Sequence, residues 1–114
     1  MTRFLVATLA LALVAAVALA DTRDQPRVAV VLGAAAQRPD LVASLERAGV
    51  DLRVPRTAGE QLGVTHLLAA KRYGTVVAVG LDRRVAIDPV ARRYEGTRFV
   101  EAQPDVRAIA RALG

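Results

Sequence analysis

The sequence contains no cysteine and no tryptophan, and it has a single histidine, His66, and a single serine, Ser44. Without cysteine, disulfides, thiolate metal sites and acylation at a lipobox cysteine are excluded. One histidine excludes a multi-histidine metal site, and a packing or surface role is expected for it. Ser44 falls inside a predicted helix, whereas a serine nucleophile needs a strand-to-helix elbow. We therefore predict no catalytic residue, no metal site, no cofactor and no enzymatic activity.

Phosphate-binding and nucleic-acid-binding signals are also missing. Residues 33–39 follow an apolar segment but contain one glycine, Gly33, where a dinucleotide fingerprint has several, and no Walker-type Gly-Lys-Thr/Ser occurs. Basic residues outnumber acidic ones by 16 to 11. They are spread along the chain, and the Arg-Arg pairs at 83–84 and 92–93 are not interleaved with aromatic residues. A solvated basic surface is the better interpretation, so nucleic acid is not an expected partner.

The N-terminus has the three parts of a secretory signal. Arg3 supplies a positive charge, residues 4–20 carry no charge, and the run ends in Ala18-Leu19-Ala20 before Asp21. We predict that residues 1–20 are a signal peptide cleaved after Ala20, which sends the protein to an extracytoplasmic location. The alternative is an uncleaved anchor, although a spanning helix needs about 20 apolar residues. In either case, membrane contact is expected through residues 1–20 alone.

The remainder of the chain is predicted to form one domain. Residues 21–26 are polar and end in proline, which indicates a linker, and residues 27–114 are then the folded unit. A chain of this size has room for one modest hydrophobic core, which no disulfide supports.

Strand and helix signals alternate through residues 27–114 as βαβαβαβα. Segments 28–32 and 75–80 are continuously apolar and close on glycine, as strands buried on both faces do, whereas 50–54 alternates like an edge strand. A short fourth strand is predicted at 97–100. The pattern predicts an α/β fold: a small three-layer sandwich with a mostly parallel four-stranded sheet in the order 2-1-3-4.

Ligands of open parallel sheets bind beyond the carboxyl ends of the strands, at the point where the strand order reverses. Here that point lies between strands one and three, at the loops 33–40 and 80–84. The candidate ligand-binding residues are Gly33, Gln37, Asp40, Gly80, Asp82 and Glu101. Two structural alternatives stay open: the glycines let the chain turn at the strand ends, and Asp40 and Asp82 cap helices.

One stretch resembles a known family. Residues 69–81 (AAKRYGTVVAVGL) and 89–100 (PVARRYEGTRFV) are similar to the first lobe of the basic membrane lipoprotein family, the substrate-binding proteins of ABC transporters that often bind nucleosides. In that lobe a strand ends in Val-Gly-Phe, a helix ends in Val-Ala-Lys-x-Tyr-Pro, and Thr-Lys-Phe opens a short strand. The resemblance covers residues 27–101 and implies a periplasmic-binding-protein type I half-domain.

The chain also departs from that family. Only Asp40 matches the segment after the first strand, where the family has an aromatic residue that stacks on the base. The segment 101–103 replaces the family's aspartate after the fourth strand, and the second lobe is missing. The resemblance therefore implies an exported single-lobe binder with weak or lost affinity for a small polar ligand such as a nucleoside. Its expected partners are an ABC permease, a second lobe or a second copy. The alternative is a non-catalytic envelope module that docks a protein.

Overall fold

The computed structural model describes residues 27–114, so the predicted signal peptide (1–20) and linker (21–26) lie outside the described residues. Strands and helices alternate along this part of the chain, as the sequence predicts. The elements are β1 (Arg27–Leu32), α1 (Pro39–Arg47), β2 (Leu52–Arg53), α2 (Ala58–Ala70), β3 (Tyr73–Val79), α3 (Asp88–Arg93), β4 (Arg98–Glu101) and α4 (Val106–Leu113). A 3₁₀ turn, Ala34–Ala36, precedes α1, and a π-helical turn, Arg83–Ile87, precedes α3.

The four strands form one parallel sheet in the order β2-β1-β3-β4, which confirms the predicted order and direction. Val30 of β1 lies beside Leu52 on one side and beside Val77 on the other, and Val77 in turn lies beside Val100. β1 and β3, which carry the two long apolar runs, occupy the middle because only there are both faces of a strand covered by helices.

Hydrophobic clusters cover both faces of the sheet. On one face, Leu41 and Leu45 of α1 and Ile109 of α4 pack against alternate residues of β1 and β3. On the other face, Leu68 of α2 packs against Ala29 and Val31 of β1 and Val76 of β3. Since successive strand residues point to opposite faces, β1 and β3 supply apolar side chains to both clusters.

Local sequence signals account for several helix ends. Thr57-Ala58-Gly59-Glu60 has the sequence pattern of a capping box: the hydroxyl of Thr57 accepts a hydrogen bond from the backbone N–H of Glu60, while the Glu60 carboxylate accepts one from the N–H of Arg56. The carboxylate of Asp105 caps α4 in the same way. Gly49 follows α1 with φ of +76°, the left-handed conformation that glycine adopts at little cost.

Several boundaries differ from the sequence-based prediction. β2 pairs over two residues rather than the predicted five, because Pro55 and the turn at Gly49 confine it. The sequence predicts a helix through about Arg72, but α2 ends at Ala70, and Arg72 takes a left-handed φ of +66° as the chain turns into β3. Pro89 predicts Asp88 as the N-cap of the next helix, which is wrong, because α3 already begins at Asp88 with Ile87 as its N-cap residue.

Candidate functional site

The carboxyl ends of β1 and β3 touch each other at the predicted switch point. The N–H of Gly33 donates a 2.8 Å hydrogen bond to the carbonyl of Val79. A Cβ atom at Gly33 would lie only 2.0 Å from the carbonyl oxygen of Gly80, so the absence of a side chain is required here. The requirement for glycine at position 33 is therefore the close approach of two backbones, which differs from both the turn and the ligand contact expected from the sequence.

Two glutamine side chains hold the loops around this contact. The Gln37 amide donates to the carbonyl of Leu32 (3.0 Å) and to that of Pro55 (2.5 Å), which ties the end of β1 to the end of β2. Gln61 is only 8% exposed, and its side-chain oxygen accepts a 3.0 Å hydrogen bond from the N–H of Asp82. Both amides therefore stabilise backbone at the switch point, and Gln61 was not among the predicted site residues.

The two predicted aspartates have different environments. One carboxylate oxygen of Asp82 accepts hydrogen bonds from the N–H groups of Arg84 (3.1 Å) and Val85 (3.3 Å). Asp82 therefore caps the π-helical turn, which is the structural role that the sequence left open for it. Asp40 is exposed in the first turn of α1, whose N-cap residue is Arg38 and has no side-chain cap bond. The prediction that Asp40 caps this helix is wrong, because the cap position lies two residues earlier, ahead of Pro39.

Glu101 belongs to a charged rim. Arg83 donates a 2.6 Å hydrogen bond from Nη1 to the Glu101 carboxylate and a 3.2 Å one from Nε to Asp88. These side chains are exposed to between 38% and 65%, so the ion pairs contribute little to stability, roughly 0–1 kcal/mol each. Their effect is to fix the Glu101 carboxylate at the carboxyl end of β4.

An open groove of about 660 Å³ lies beside the closed switch point, between the carboxyl ends of β3 and β4 and helix α4. This volume falls within the range of about 300–1,000 Å³ that is typical of small-molecule sites. Its lining consists of Ala78, Gly80, Leu81, Val100, Glu101, Ala102, Gln103, Pro104, Ala108, Arg111 and Ala112. Four alanines, two from the strand side and two from α4, leave the space between the sheet and the helix open.

The groove brings together two of the six predicted residues, Gly80 and Glu101. Its other polar side chains, Gln103 and Arg111, were not predicted. Arg111 lies in the last turn of the amphipathic helix α4. Nothing in the sequence around it distinguishes an arginine that lines a groove from one on a solvated helix surface. Gln103 lies in the segment 101–103, which replaces an aspartate of the family that the sequence resembles. That resemblance could therefore have indicated Gln103 as a candidate site residue.

A second polar cluster lies near the amino end of β3 and joins three strands. The Tyr73 hydroxyl and Arg53 both bind the carboxylate of Asp51, at 2.5 and 2.8 Å, and Arg27 lies 4.6 Å above the Tyr73 ring. Partial burial alone raises the pKa of Asp51, but hydrogen bonds from Arg53 and Tyr73 and the nearby positive charges outweigh it and lower that pKa. The same hydrogen bond to Asp51, together with burial, raises the pKa of Tyr73.

His66 has a partner away from the groove. Its Nε2 lies 3.1 Å from the hydroxyl of Tyr94, and the two rings meet edge to face with centroids 5.2 Å apart. This contact joins α2 to the end of α3, so of the two roles expected for His66, packing or surface, the structure shows packing. Among residues 27–114, no group of three or more His, Cys, Asp or Glu residues could hold a metal ion. No helix in that same part of the chain is long and apolar enough to cross a membrane.

Comparison with models of protein families, with curated proteins and with solved structures found no match to this chain.

Proposed function

We propose that this protein is an exported, non-catalytic, single-lobe binding domain, similar to half of a periplasmic solute receptor, that binds a small polar ligand weakly. The observation that carries the proposal is the groove of about 660 Å³ at the carboxyl ends of β3 and β4. It lies beside the switch point where parallel α/β sheets commonly bind ligands.

The polar groups of the groove suit a ligand that carries hydroxyl or amine groups. The Glu101 carboxylate accepts hydrogen bonds, and Arg83 holds it in place from outside the groove. Gln103 and Arg111 supply donors, while alanine, valine and leucine side chains supply apolar contact. A nucleoside or a small sugar has this combination of an apolar surface and several hydroxyl groups.

The groove is open on one side, so a ligand would remain partly hydrated. A second lobe, from another protein or another copy, would remove that water and raise the affinity. We therefore expect dissociation constants in the weak range for the chain alone, and an ABC permease or a second lobe as the physiological partner. The support for export is the signal-peptide pattern in the sequence of residues 1–20.

Binding without catalysis is the better proposal because of the chemistry of the lining. The groove is lined by no hydroxyl, thiol or imidazole side chain, and its one carboxylate is paired with Arg83. General acid–base catalysis needs a proton donor or acceptor within hydrogen-bond reach of the substrate. His66 lies elsewhere and contacts Tyr94.

Ligand-induced thermal stabilisation tests the proposal. A panel of nucleosides and sugars is added to the purified protein, and the melting temperature is measured against ligand concentration. A ligand that binds only the folded state stabilises it by about 2.7 kcal/mol at 100 times its dissociation constant. We expect a concentration-dependent rise for at least one ligand in the panel. A flat response to every compound would contradict the proposal.

Two matched leucine substitutions locate the site. Ala112 lines the groove, whereas Ala110 lies two residues earlier on the same helix and is exposed outside it. Ala112→Leu fills the groove and is expected to abolish the ligand-dependent rise. Ala110→Leu is expected to preserve it. An unchanged response in Ala112→Leu would place the ligand elsewhere.

A second function, docking of a protein partner, is favoured by a different observation. Leu67 of α2 and Val54 after β2 are exposed to 43% and 41%, and both line an apolar groove of about 480 Å³ at the β2 edge of the sheet. Protein docking without ligand binding would leave the melting temperature flat in the same ligand series.

A further inference from the structure

Helix α2 is apolar on all sides of its axis. Four residues of its inner side are buried, Gln61, Thr65, Leu68 and Ala69. Leu68 packs on the sheet, whereas Gln61 and Thr65 bind the backbone of Asp82 and Ala86 after β3. At 100° per residue, Leu62, Val64, Leu67 and Ala70 are distributed around the remainder of the helix. A helix that is apolar all round is normally buried all round. Here Leu62, Leu67 and Ala70 stay exposed in the single chain.

The stripe that faces the β2 edge consists of Glu60, Gly63, Val64, Leu67 and Lys71, which are all exposed except the half-buried Val64. At the helical spacing these positions fall within an arc of about 100°. The stripe borders the groove of about 480 Å³ that is completed by Leu52, Arg53, Val54 and Pro55. We call these nine residues the α2 face. Its two exposed apolar side chains, Leu67 and Val54, line the same groove, unlike the isolated ones that are normal on protein surfaces.

Gly63 gives this face its shape. A Cβ atom at Gly63 would meet nothing within 4 Å, so the packing of the single chain does not require glycine there. Glycine inside a helix costs about 1 kcal/mol relative to alanine. The missing side chain leaves a depression next to the exposed side chain of Leu67, one helical turn away.

The charges along the stripe make it complementary to itself. Glu60 lies near the start of α2 and Lys71 closes its end, 11 residues or about 16 Å away. In an antiparallel pair of α2 helices related by a two-fold axis, Glu60 faces Lys71 of the second copy. The same arrangement places Leu67 against Gly63 and Val64 of the other copy. One patch thus matches itself in charge and in shape, as a two-fold interface requires.

We propose that the α2 face is the interface of a two-fold homodimer in which α2 packs antiparallel to α2 of a second copy. The ligand groove is lined by α4, which packs on the opposite face of the sheet. Dimerisation and ligand binding are therefore independent, and this inference does not rest on the proposed function.

Sedimentation velocity over a concentration series tests the interface. The exported protein is used as purified, with its N-terminus identified by mass spectrometry. We expect a monomer–dimer equilibrium for the native sequence. Leu67→Glu places a charge in the centre of the face and is expected to raise the dimer dissociation constant at least about tenfold. Val106→Glu is the matched control, because Val106 lies on α4 and is 48% exposed. It is expected to leave the dimer dissociation constant unchanged.

Cross-linking tests the antiparallel arrangement. The native chain has no cysteine, so introduced thiols are the only reactive ones. In a Glu60→Cys/Lys71→Cys double variant the two thiols of one chain are about 16 Å apart, but each is close to the other thiol of the second copy. A bifunctional maleimide with a span well below that separation is expected to give covalent dimers of the double variant. Each single variant alone is expected to stay monomeric on a denaturing gel.

Three results would overturn the inference. They are a monomer at every concentration, a dimer that Leu67→Glu leaves intact, and equal cross-linking of the single and double variants. Circular dichroism and the melting temperature of each variant separate lost association from lost folding. If Leu67→Glu fails to fold, the cross-linking series decides alone, because Glu60 and Lys71 are exposed at the helix ends and the side-chain bond given up is the exposed one from the Arg56 N–H to Glu60.

Discussion

The hydroxyl of Tyr73, the first residue of β3, donates a 2.5 Å hydrogen bond to the carboxylate of Asp51, which directly precedes β2, and β1 lies between these two strands. Arg53 binds the same carboxylate at 2.8 Å. Arg27, at the start of β1, covers the Tyr73 ring and donates to the carbonyl of Lys71. One carboxylate therefore links β2 to β3 across the central strand, where β2 itself pairs over only two residues.

The first prediction concerns the pH dependence of stability. The pKa of Asp51 is lowered in the folded state, so its stabilisation is present above its ordinary value of 3.8 and is lost as the pH falls through the lowered value. The pKa of Tyr73 is raised, so its stabilisation is present below its ordinary value of 10.0 and is lost as the pH rises above it. We expect the Asp51 cluster to stabilise the fold most between about pH 5 and pH 9.

Chemical denaturation at several pH values measures this effect as the difference between the native protein and Asp51→Asn. The difference in the free energy of unfolding is expected to be about 1 kcal/mol at pH 7, because the carboxylate is one-third exposed, and to shrink below pH 4 and above pH 10. A difference that stays constant from pH 3 to pH 10 would show that Asp51 does not act through its charge.

A second prediction isolates the Tyr73 hydroxyl. Tyr73→Phe keeps the buried ring and its stacking with Arg27 but removes the bond to Asp51. We expect a loss of about 1 kcal/mol in the free energy of unfolding, since hydrogen bonds to charged groups contribute about 1.5–3 kcal/mol when buried and less when partly exposed. The double variant with Asp51→Asn provides the check. If the two residues act together, the double variant should lose less than the sum of the single losses.

A third prediction concerns the contact at the switch point. Gly33 has an ordinary extended backbone, with φ of −69° and ψ of 166°, so alanine is tolerated there conformationally. Its Cβ would nevertheless overlap the carbonyl of Gly80. We expect Gly33→Ala to destabilise the protein by about 3 kcal/mol or to prevent folding, because the obstacle is backbone that cannot rotate away.

Gly59→Ala is the matched control, because a Cβ there would make only ordinary contact in the first turn of α2. It is expected to be neutral or to stabilise the protein by up to about 1 kcal/mol. Thermal unfolding of both variants measures the contrast. Equal melting temperatures for the two would mean that β1 and β3 can separate at Gly33 without cost.

The sheet was predictable because its order depends on signals within single segments. The continuous apolar runs 28–32 and 75–80 indicate central strands, and the alternation at 50–54 indicates an edge. The parallel order 2-1-3-4 follows from these signals and from right-handed crossovers. The end of α2 was not predictable, because it depends on Arg72 accepting a left-handed backbone, which arginine seldom does.

The candidate site was less predictable because it depends on distances between segments. Sequence reasoning placed Gly33 and Gly80 at the same edge of the sheet, but it had no measure of how closely the two backbones approach. It also could not show that the side chains of Gln37 and Gln61 bind backbone groups about 20 residues further along the chain, in the loops after β2 and β3. A sequence does not distinguish a polar side chain that binds the protein's own backbone from one that faces a groove. Only the hydrogen-bond partners seen in the structure distinguish the two.

The last prediction separates the two aspartates. Asp82→Ala removes the acceptor for the N–H groups of Arg84 and Val85 and is expected to cost about 1 kcal/mol, the usual value of a lost N-terminal cap. Asp40→Ala removes an exposed carboxylate in the first turn of α1, where the helix dipole contributes at most a few tenths of a kcal/mol. Denaturant unfolding without ligand is the measurement, and Asp82→Asn is the conservative control because its side-chain oxygen still accepts hydrogen bonds. An equal loss in both alanine variants would contradict the assignment. A loss at Asp82 alone would mean that this aspartate acts on its own backbone, since no ligand is present to stabilise the fold.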